Sequence, residues 1–244
     1  MTFTVMARCA DTGAIGIGIA TASANCSKVL PSIKGLLPAV QPDGAIVCSQ
    51  SMCNPMLGYK AFELLDQGKS FDEIEQAFVA DDEHLAYRQV GIVTASGGVW
   101  AYTGASCFPE KGHFVGADYL VMGNCLGTDT LGGMQEAFEE GQGLDLGERL
   151  LRTLEAGRAS GGQYWEGKPI GELFCSLYVY DGRNPYPKVD MRVDFDVSAV
   201  EKMRRMYDQL QDRTEQYFDA MYRRPHLFKD TVSGHLLEVA AAQI

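Results

Sequence analysis

The chain has 244 residues, of which 46% are hydrophobic and 22% are charged, as is ordinary for a globular protein. Its net charge of −11 argues against nucleic acid and membrane as partners, because both carry negative charge. No stretch approaches the roughly 20 apolar residues that span a bilayer, and the first residues lack the pattern of a signal peptide. We therefore expect a cytoplasmic protein with reduced cysteines, since its seven cysteines form no CxxC pair.

The N-terminal half of the chain has the pattern of strands, then helices, then strands. Residues 2–9 alternate with a period of two, residues 11–13 are a turn signal, and residues 14–22 return as a second strand. A third strand is predicted at 45–51 and a helix at 55–67. Ser70 and Glu73 form a capping box that begins the next helix. Residues 88–95 and 99–103 then predict a hairpin.

The C-terminal half predicts a strand at 119–122, helices at 128–141 and 145–158, and strands at 174–180 and 189–195. Because tight hairpins dominate, the sheets should be largely antiparallel. The order of elements predicts an α+β protein, either a four-layer α-β-β-α sandwich or a two-layer sheet, which the pattern alone does not distinguish.

The last quarter of the chain differs from the rest. We place a sandwich domain at 1–181 and a C-terminal extension at 182–244, which starts with a proline-rich linker at 184–187. A helix at 198–223 carries apolar residues spaced alternately three and four apart. This seam packs either on its own domain or against a second subunit, and we expect a homo-oligomer, a dimer or higher. The residues of this seam are Val200, Met203, Tyr207, Leu210, Thr214, Tyr217 and Met221.

Thr2 is the residue with the most distinctive chemistry. If Met1 is removed, Thr2 carries a hydroxyl nucleophile and an α-amine on one residue. An unperturbed α-amine has a pKa of about 7.7–8.0, so near neutral pH it can act as the base. The alternative is that Thr2 is simply a β-branched residue that opens a strand.

Several stretches, in order along the chain, match one known family. They are Thr2-Phe3 with its strand, 12–20, Gln50 with Asn54-Pro55, Gly58 and Leu64-Leu65, 87–93, Thr103-Gly104 with Cys107, Gly112-His113, Gly123-Asn124, and 148–162. Over residues 2 to about 180 the chain resembles the domain of unknown function 1028 family, assigned to the N-terminal-nucleophile (Ntn) hydrolase superfamily. The resemblance implies the four-layer sandwich and hydrolysis of an amide bond, in a small molecule or a peptide, with Thr2 as nucleophile.

Polar residues in the matching stretches are the candidates for binding or transition-state support. They are Gln50, Asn54, Arg88, Gln89, Thr103, His113 and Asn124. Arg88 and Gln89 alternate in direction, so one of them should point inward. Asn54 is also suited to capping the helix after it, and Asn124 is suited either to a turn or to donating to an oxyanion.

Other chemistries have weaker support. A cysteine–histidine hydrolase would pair His113 with Cys53, Cys107 or Cys125, but no local signature supports it. His84, His226 and His235 lack metal-ligand spacing, and no Rossmann or Walker sequence occurs, so we expect no metal and no cofactor.

Two functional classes therefore stay open. One is a metal-independent amidohydrolase, and the other is a catalytically silent member of the fold that serves in binding or assembly. The second is kept because the family usually has a basic residue shortly after the position of Ala20. Here Ala22 and Ser23 stand in its place, and the nearest lysine is Lys28.

Overall fold

The computed structural model describes residues 1–22, 38–182 and 186–218, with the side chains of the last helix as far as residue 209. The chain divides into two compact units, Met1–Met203 and Arg204–Ile244. The strands of the described part are β1 (Thr2–Arg8), β2 (Ile15–Thr21), β3 (Pro38–Gln41), β4 (Ala45–Ser51), β5 (Arg88–Thr94), β6 (Val99–Thr103), β7 (Gly112–Val115), β8 (Tyr119–Asn124), β9 (Gln163–Trp165), β10 (Lys168–Ile170), β11 (Phe174–Tyr180) and β12 (Val189–Asp194). The α-helices are α1 (Met56–Asp66), α2 (Phe71–Asp81), α3 (Thr130–Glu140), α4 (Leu146–Ala159) and α5 (Ala199–Phe218).

Two antiparallel sheets form the centre of the first unit. The six-stranded sheet has the order β12-β11-β2-β1-β8-β7, and the four-stranded sheet has the order β3-β4-β5-β6. Strand β1 is therefore central in its sheet, paired with β2 on one side and β8 on the other. Strands β9 and β10 form a separate hairpin.

Helices cover the six-stranded sheet on one face. Helix α4 packs on β1, β2 and β11, and α3 packs on α4 and β8. Glycines in β2 permit this close approach: a Cβ at Gly16 would lie 2.7 Å from Leu150 Cδ1, and one at Gly18 would lie 3.0 Å from Leu154 Cδ1. The small residues of β2, which the sequence shows as Gly-Ile-Gly, are thus explained by helix packing.

The four-stranded sheet has its own helices and also contacts the other sheet. Helix α1 packs on β3 and β4, and α2 packs on α1. Strand β5 contacts β1 and β8, and β2 contacts β4, so the two sheets meet. The capping box predicted for α2 is confirmed, because the Ser70 hydroxyl accepts from the Glu73 backbone and the Glu73 carboxylate accepts from the Ser70 backbone.

The alternation of β1 assigns its side chains to two different cores. Phe3 points to the helices, because a Cβ at Gly157 in α4 would lie 3.4 Å from its ring. Thr4 and Met6 point to the other sheet: Thr4 bonds to Gln50 of β4, and a Cβ at Gly91 in β5 would lie 3.0 Å from Met6 Sδ. By the same alternation, Thr2 faces the space between the sheets.

Two features of the fold differ from the sequence-based prediction, and the helix predicted at 198–223 is described in part. Strands β3 and β7 and the β9–β10 hairpin have three or four residues each, too few for a clear alternation, and were not predicted. Strand β12 pairs with β11, so the sheet includes residues beyond the boundary placed at 181. Helix α5 begins at Ala199, and Val200 and Met203 of the predicted seam are buried, whereas the side chains of Leu210, Thr214, Tyr217 and Met221 lie outside the described residues.

None of the helices in the described ranges has the length and apolar character that crossing a membrane requires.

Candidate functional site

Thr2 lies in a row of side chains at one end of the six-stranded sheet. In the register of the sheet it stands opposite Thr21 of β2 and opposite Asn124 of β8. Its side chain is buried, and its Oγ1 donates to Thr21 Oγ1 at 3.1 Å. The Thr21 hydroxyl in turn donates to the carbonyl oxygen of Met1. The Thr2 hydroxyl is therefore held next to the peptide bond that precedes it.

Beside this row, three buried carboxamides form one hydrogen-bonded network between the sheets. The Nε2 of Gln89 donates to the carbonyl oxygens of Gly112 and Gly123, both at 2.9 Å. Because a carbonyl only accepts, the Oε1 of Gln89 must be an acceptor. It accepts from Gln50 Nε2 at 2.6 Å and from Asn124 Nδ2 at 3.2 Å.

The same logic orients the two neighbouring amides. The Gln50 Oε1 accepts from the Thr4 hydroxyl at 2.6 Å, so both hydrogen bonds of the Gln50 amide agree with one orientation. Asn124 uses its nitrogen on Gln89, which leaves its Oδ1 buried and without a hydrogen-bond partner among the described residues. This acceptor is on the residue opposite Thr2 and on the same face of the sheet.

The network ends at His113. Thr103 Oγ1 lies 2.9 Å from Gln89 Nε2, whose two hydrogens are shared among three acceptors, and 2.8 Å from His113 Nδ1. We assign the Thr103 hydroxyl as donor to Nδ1, which places the proton of a neutral imidazole on Nε2. Burial lowers the pKa of His113, which favours this neutral form.

The lowered pKa of His113 predicts a pH dependence of stability. Above about pH 6.5 the residue is neutral in both the folded and the unfolded chain. Below that value the unfolded chain binds the proton more readily, so the free energy of unfolding falls until the pH passes the lower pKa of the folded state. We expect His113→Gln to reduce this acid-induced loss, measured by urea unfolding from pH 7.5 to 5 (about the range of histidine titration).

The control is His84→Gln, because the side chain of His84 is exposed. An equal acid-induced loss in the His113→Gln variant and in the unaltered protein would contradict the prediction.

Asn54 and Arg88 belong to a different cluster. Both bond to the carboxylate of Asp82, at 2.9 Å from Asn54 Nδ2 and at 3.0 Å from Arg88 Nε. Burial opposes ionisation of Asp82, but the bonds from Arg88 and Asn54 hold its pKa below the usual range. Asn54 Oδ1 also accepts from the Met56 backbone at the start of α1, although Pro55 is the residue at the cap position. Of the pair Arg88 and Gln89, it is thus Gln89 that points inward.

The structure also brings residues to Thr2 that the sequence did not single out. One is Thr21, for which no local pattern exists. The other is Gln163, which bridges to Leu126 just after β8 and accepts from the Ala22 backbone just after β2 at 2.9 Å. Since β1 lies between those strands, the buried Gln163 side chain spans the end of β1, and its Nε2 has no hydrogen-bond partner in the described part of the chain.

Two of the six non-glycine residues with a left-handed backbone in the described ranges lie beside the same network. Ser51 directly follows Gln50, and Cys125 directly follows Asn124. Both adopt left-handed conformations, with φ of 68° and 55°. Such conformations cost about 1–3 kcal/mol in non-glycine residues and often mark functional sites. Burial raises the pKa of the Cys125 thiol, although the nearby chain amino terminus acts in the opposite direction.

The alternative cysteine and metal chemistries gain no support from the geometry. Cys107 Sγ donates to the Arg88 carbonyl at 3.2 Å, and His113 Nδ1 is taken by Thr103. Within the described ranges, no three side chains of the metal-binding types are placed to share an ion. Lys28 lies outside the described residues.

Comparisons with known proteins show one matching family and several similar solved structures. A family model described as "Family of unknown function (DUF1028)" matches residues 2–203. The crystal structure of protein SPO2555 from Silicibacter pomeroyi, assigned to the same family model, has 26% identity and a TM-score of 0.73 over 86% of this chain and 85% of that chain. The Anbu (ancestral beta-subunit) structure from Yersinia bercovieri has 10% identity and a TM-score of 0.41 over 85% of this chain and 93% of that chain, which is too low to carry an argument. No curated protein matches the chain.

Proposed function

The chain belongs to the DUF1028 family, and from the geometry around Thr2 we propose that it is an N-terminal-nucleophile amidohydrolase, active once the Met1–Thr2 bond is cleaved. The observation that carries the proposal is the position of the Thr2 hydroxyl. It is held between the sheets by Thr21, beside the unpartnered amide oxygen of Asn124. A buried polar group without a partner is costly, and a substrate or a free α-amine would satisfy it.

The proposed chemistry needs no metal. The free α-amine of Thr2 takes the proton of Oγ1, directly or through one water, and Oγ1 attacks the carbonyl carbon of the substrate amide. Asn124 Oδ1 accepts from the resulting ammonium. The Thr21 hydroxyl, which bonds the Met1 carbonyl in this structure, donates to the developing oxyanion. The leaving amine takes the proton, and water then hydrolyses the ester on Thr2.

The proposal also includes the arrangement of layers in the fold, the class of substrate, and the location and partners of the protein. The helix-to-sheet and sheet-to-sheet contacts support the four-layer α-β-β-α arrangement. The substrate would be an amide of a small molecule or a peptide. A cytoplasmic location, an absence of nucleic-acid and membrane partners, and self-association through α5 stay predictions.

A catalytically silent protein is the second candidate function. It is favoured by one observation: the polar contact of Thr2 within the described residues is with another hydroxyl, not with a basic side chain. A cation near the nucleophile would lower the pKa of the α-amine and stabilise negative charge.

Two preparations of the protein test the proposal. One begins at Thr2, and the other retains Met1. We expect the first to hydrolyse a member of a panel of small amides and dipeptides, and the second to be inactive because its hydroxyl has no adjacent base. Intact mass establishes the N-terminus of each preparation. Equal activity in both would exclude the N-terminal mechanism, and inactivity of both would favour the silent alternative.

A further inference from the structure

A cavity lies at the far end of β1 from Thr2. It has a volume of about 550 Å³ and is lined by Arg8 of β1, by the start of β8, by the α3–α4 connection and by Arg149 of α4. Thr2 and Arg8 are the two ends of one strand, about 20 Å apart at the rise of an extended chain. Cavities of this size hold small ligands, and this one is separate from the Thr2 site.

Arg149 has a fixed orientation in the wall of this cavity. Its Nε donates to the carbonyl of Phe138 in the last turn of α3 at 2.6 Å. Its guanidinium carbon lies 3.6 Å from the centre of the Phe138 ring. These contacts fix the plane of the guanidinium, yet its two terminal amino groups have no hydrogen-bond partner among the described residues.

The other two cations that line the cavity, Arg8 and Lys188, are engaged in ion pairs. Arg8 Nη1 lies 2.9 Å from Asp118, and Lys188 pairs with Asp145. Among the described residues of the wall Arg149 is the remaining cation, and burial lowers the pKa of its guanidinium although nearby groups, including Asp118 and Glu139, oppose the shift.

The helix-capping role of Arg149 does not account for its whole geometry. Capping α3 uses Nε alone, and the stem of the side chain covers Gly141 at the end of that helix. A planar guanidinium whose two terminal nitrogens are left without hydrogen-bond partners among the described residues matches the two oxygens of a carboxylate. The wall also includes apolar residues, among them Ala14, Leu144 and Val179.

We propose that this cavity is a binding site for a small monocarboxylate with an apolar body, whose carboxylate is held by Arg149. A carboxylate is favoured over a doubly charged phosphate because acidic side chains also line the cavity and would repel the second charge. These are Asp11, Asp118, Glu139, Asp145 and Asp181.

Benzoate is the probe, and its neutral isostere benzamide is the matched control. In ¹⁵N-labelled full-length protein, benzoate should shift the amide signals of residues 143–146 saturably, whereas benzamide at the same concentration should not. Shifts that map elsewhere, an absence of saturable shifts, or equal effects of the two compounds would each overturn the proposal. Tighter binding of phenylphosphonate than of benzoate would overturn the assignment to carboxylates.

Variants of helix α4 test the role of Arg149 itself. Arg149→Lys keeps the charge but loses the planar pair of donors, and we expect it to weaken benzoate binding by about tenfold or more, a loss of about 1.4 kcal/mol. Arg152→Gln is the control, because Arg152 is on the same helix, exposed, and paired with Glu148 at 2.6 Å. Unchanged benzoate binding in Arg149→Lys would contradict the proposal. If that variant does not fold, the positions of the benzoate-induced amide shifts in the unaltered protein decide whether the cavity binds the carboxylate. Neither result depends on activity at Thr2.

Discussion

Thr2→Ala is expected to abolish amide hydrolysis by the protein that begins at residue 2, with a loss of about 10⁴-fold or more in kcat. The variant keeps the α-amine and the strand, but the atom that attacks the carbonyl carbon is gone. Because the side chain is buried and makes its hydrogen bond to Thr21, the substitution removes little else. The measurement is kcat and KM on the best substrate from the amide panel.

Thr2→Ser is the matched control for this prediction. Serine keeps the hydroxyl and the α-amine on one residue and loses one methyl group, so measurable activity should remain. Both variants need intact-mass analysis, since retention of Met1 would mimic the loss of the nucleophile. Activity of Thr2→Ala close to that of the parent protein would mean that another residue carries the chemistry.

Gln89→Leu is expected to destabilise the fold by about 4 kcal/mol, a value at the upper end for single substitutions. Gln89 is fully buried and accepts from Gln50 and Asn124 while it donates to two backbone carbonyls. Leucine has a similar size but satisfies none of them, and each buried group left without a partner costs about 1–3 kcal/mol. The shift of the urea midpoint at constant m-value measures the change.

The control for Gln89 is Gln67→Leu at the end of α1. The Gln67 side chain is exposed, and within the described ranges it bonds only to Glu63 at 3.4 Å, so its replacement should change the free energy of unfolding by no more than about 0.5 kcal/mol. A loss of less than about 1 kcal/mol for Gln89→Leu would show that water replaces the amide and that the network is not tightly closed.

Local patterns in the sequence were sufficient for the longer elements. The strand at β1 and its return as β2 follow from alternation and a turn, and β11 was predicted with the same bounds as in the structure. The start of α2 follows from the Ser70–Glu73 capping box. These signals are local because alternation, helical periodicity and capping each involve residues a few positions apart.

The sequence also identified most of the polar residues near Thr2, but it did not show which of them lie together. Five of the seven, Gln50, Gln89, Thr103, His113 and Asn124, are joined in one network. Asn54 and Arg88 join a different cluster around Asp82. The adjacent residues Arg88 and Gln89 point to opposite faces of β5, and only the packing of the second sheet decides which face is inside.

The sequence alone thus determined the strand that begins at Thr2, the main helices and strands, and the family resemblance. The tertiary structure alone decided that Thr21, Asn124 and Gln163 meet at the end of β1. These residues are far apart in the chain and come together only through sheet pairing and a bridge across the end of that strand. Pairings of this kind depend on the order of the strands and on their register, and a one-residue slip in register would turn every side chain of a strand to the other face of the sheet. No local pattern therefore specifies them.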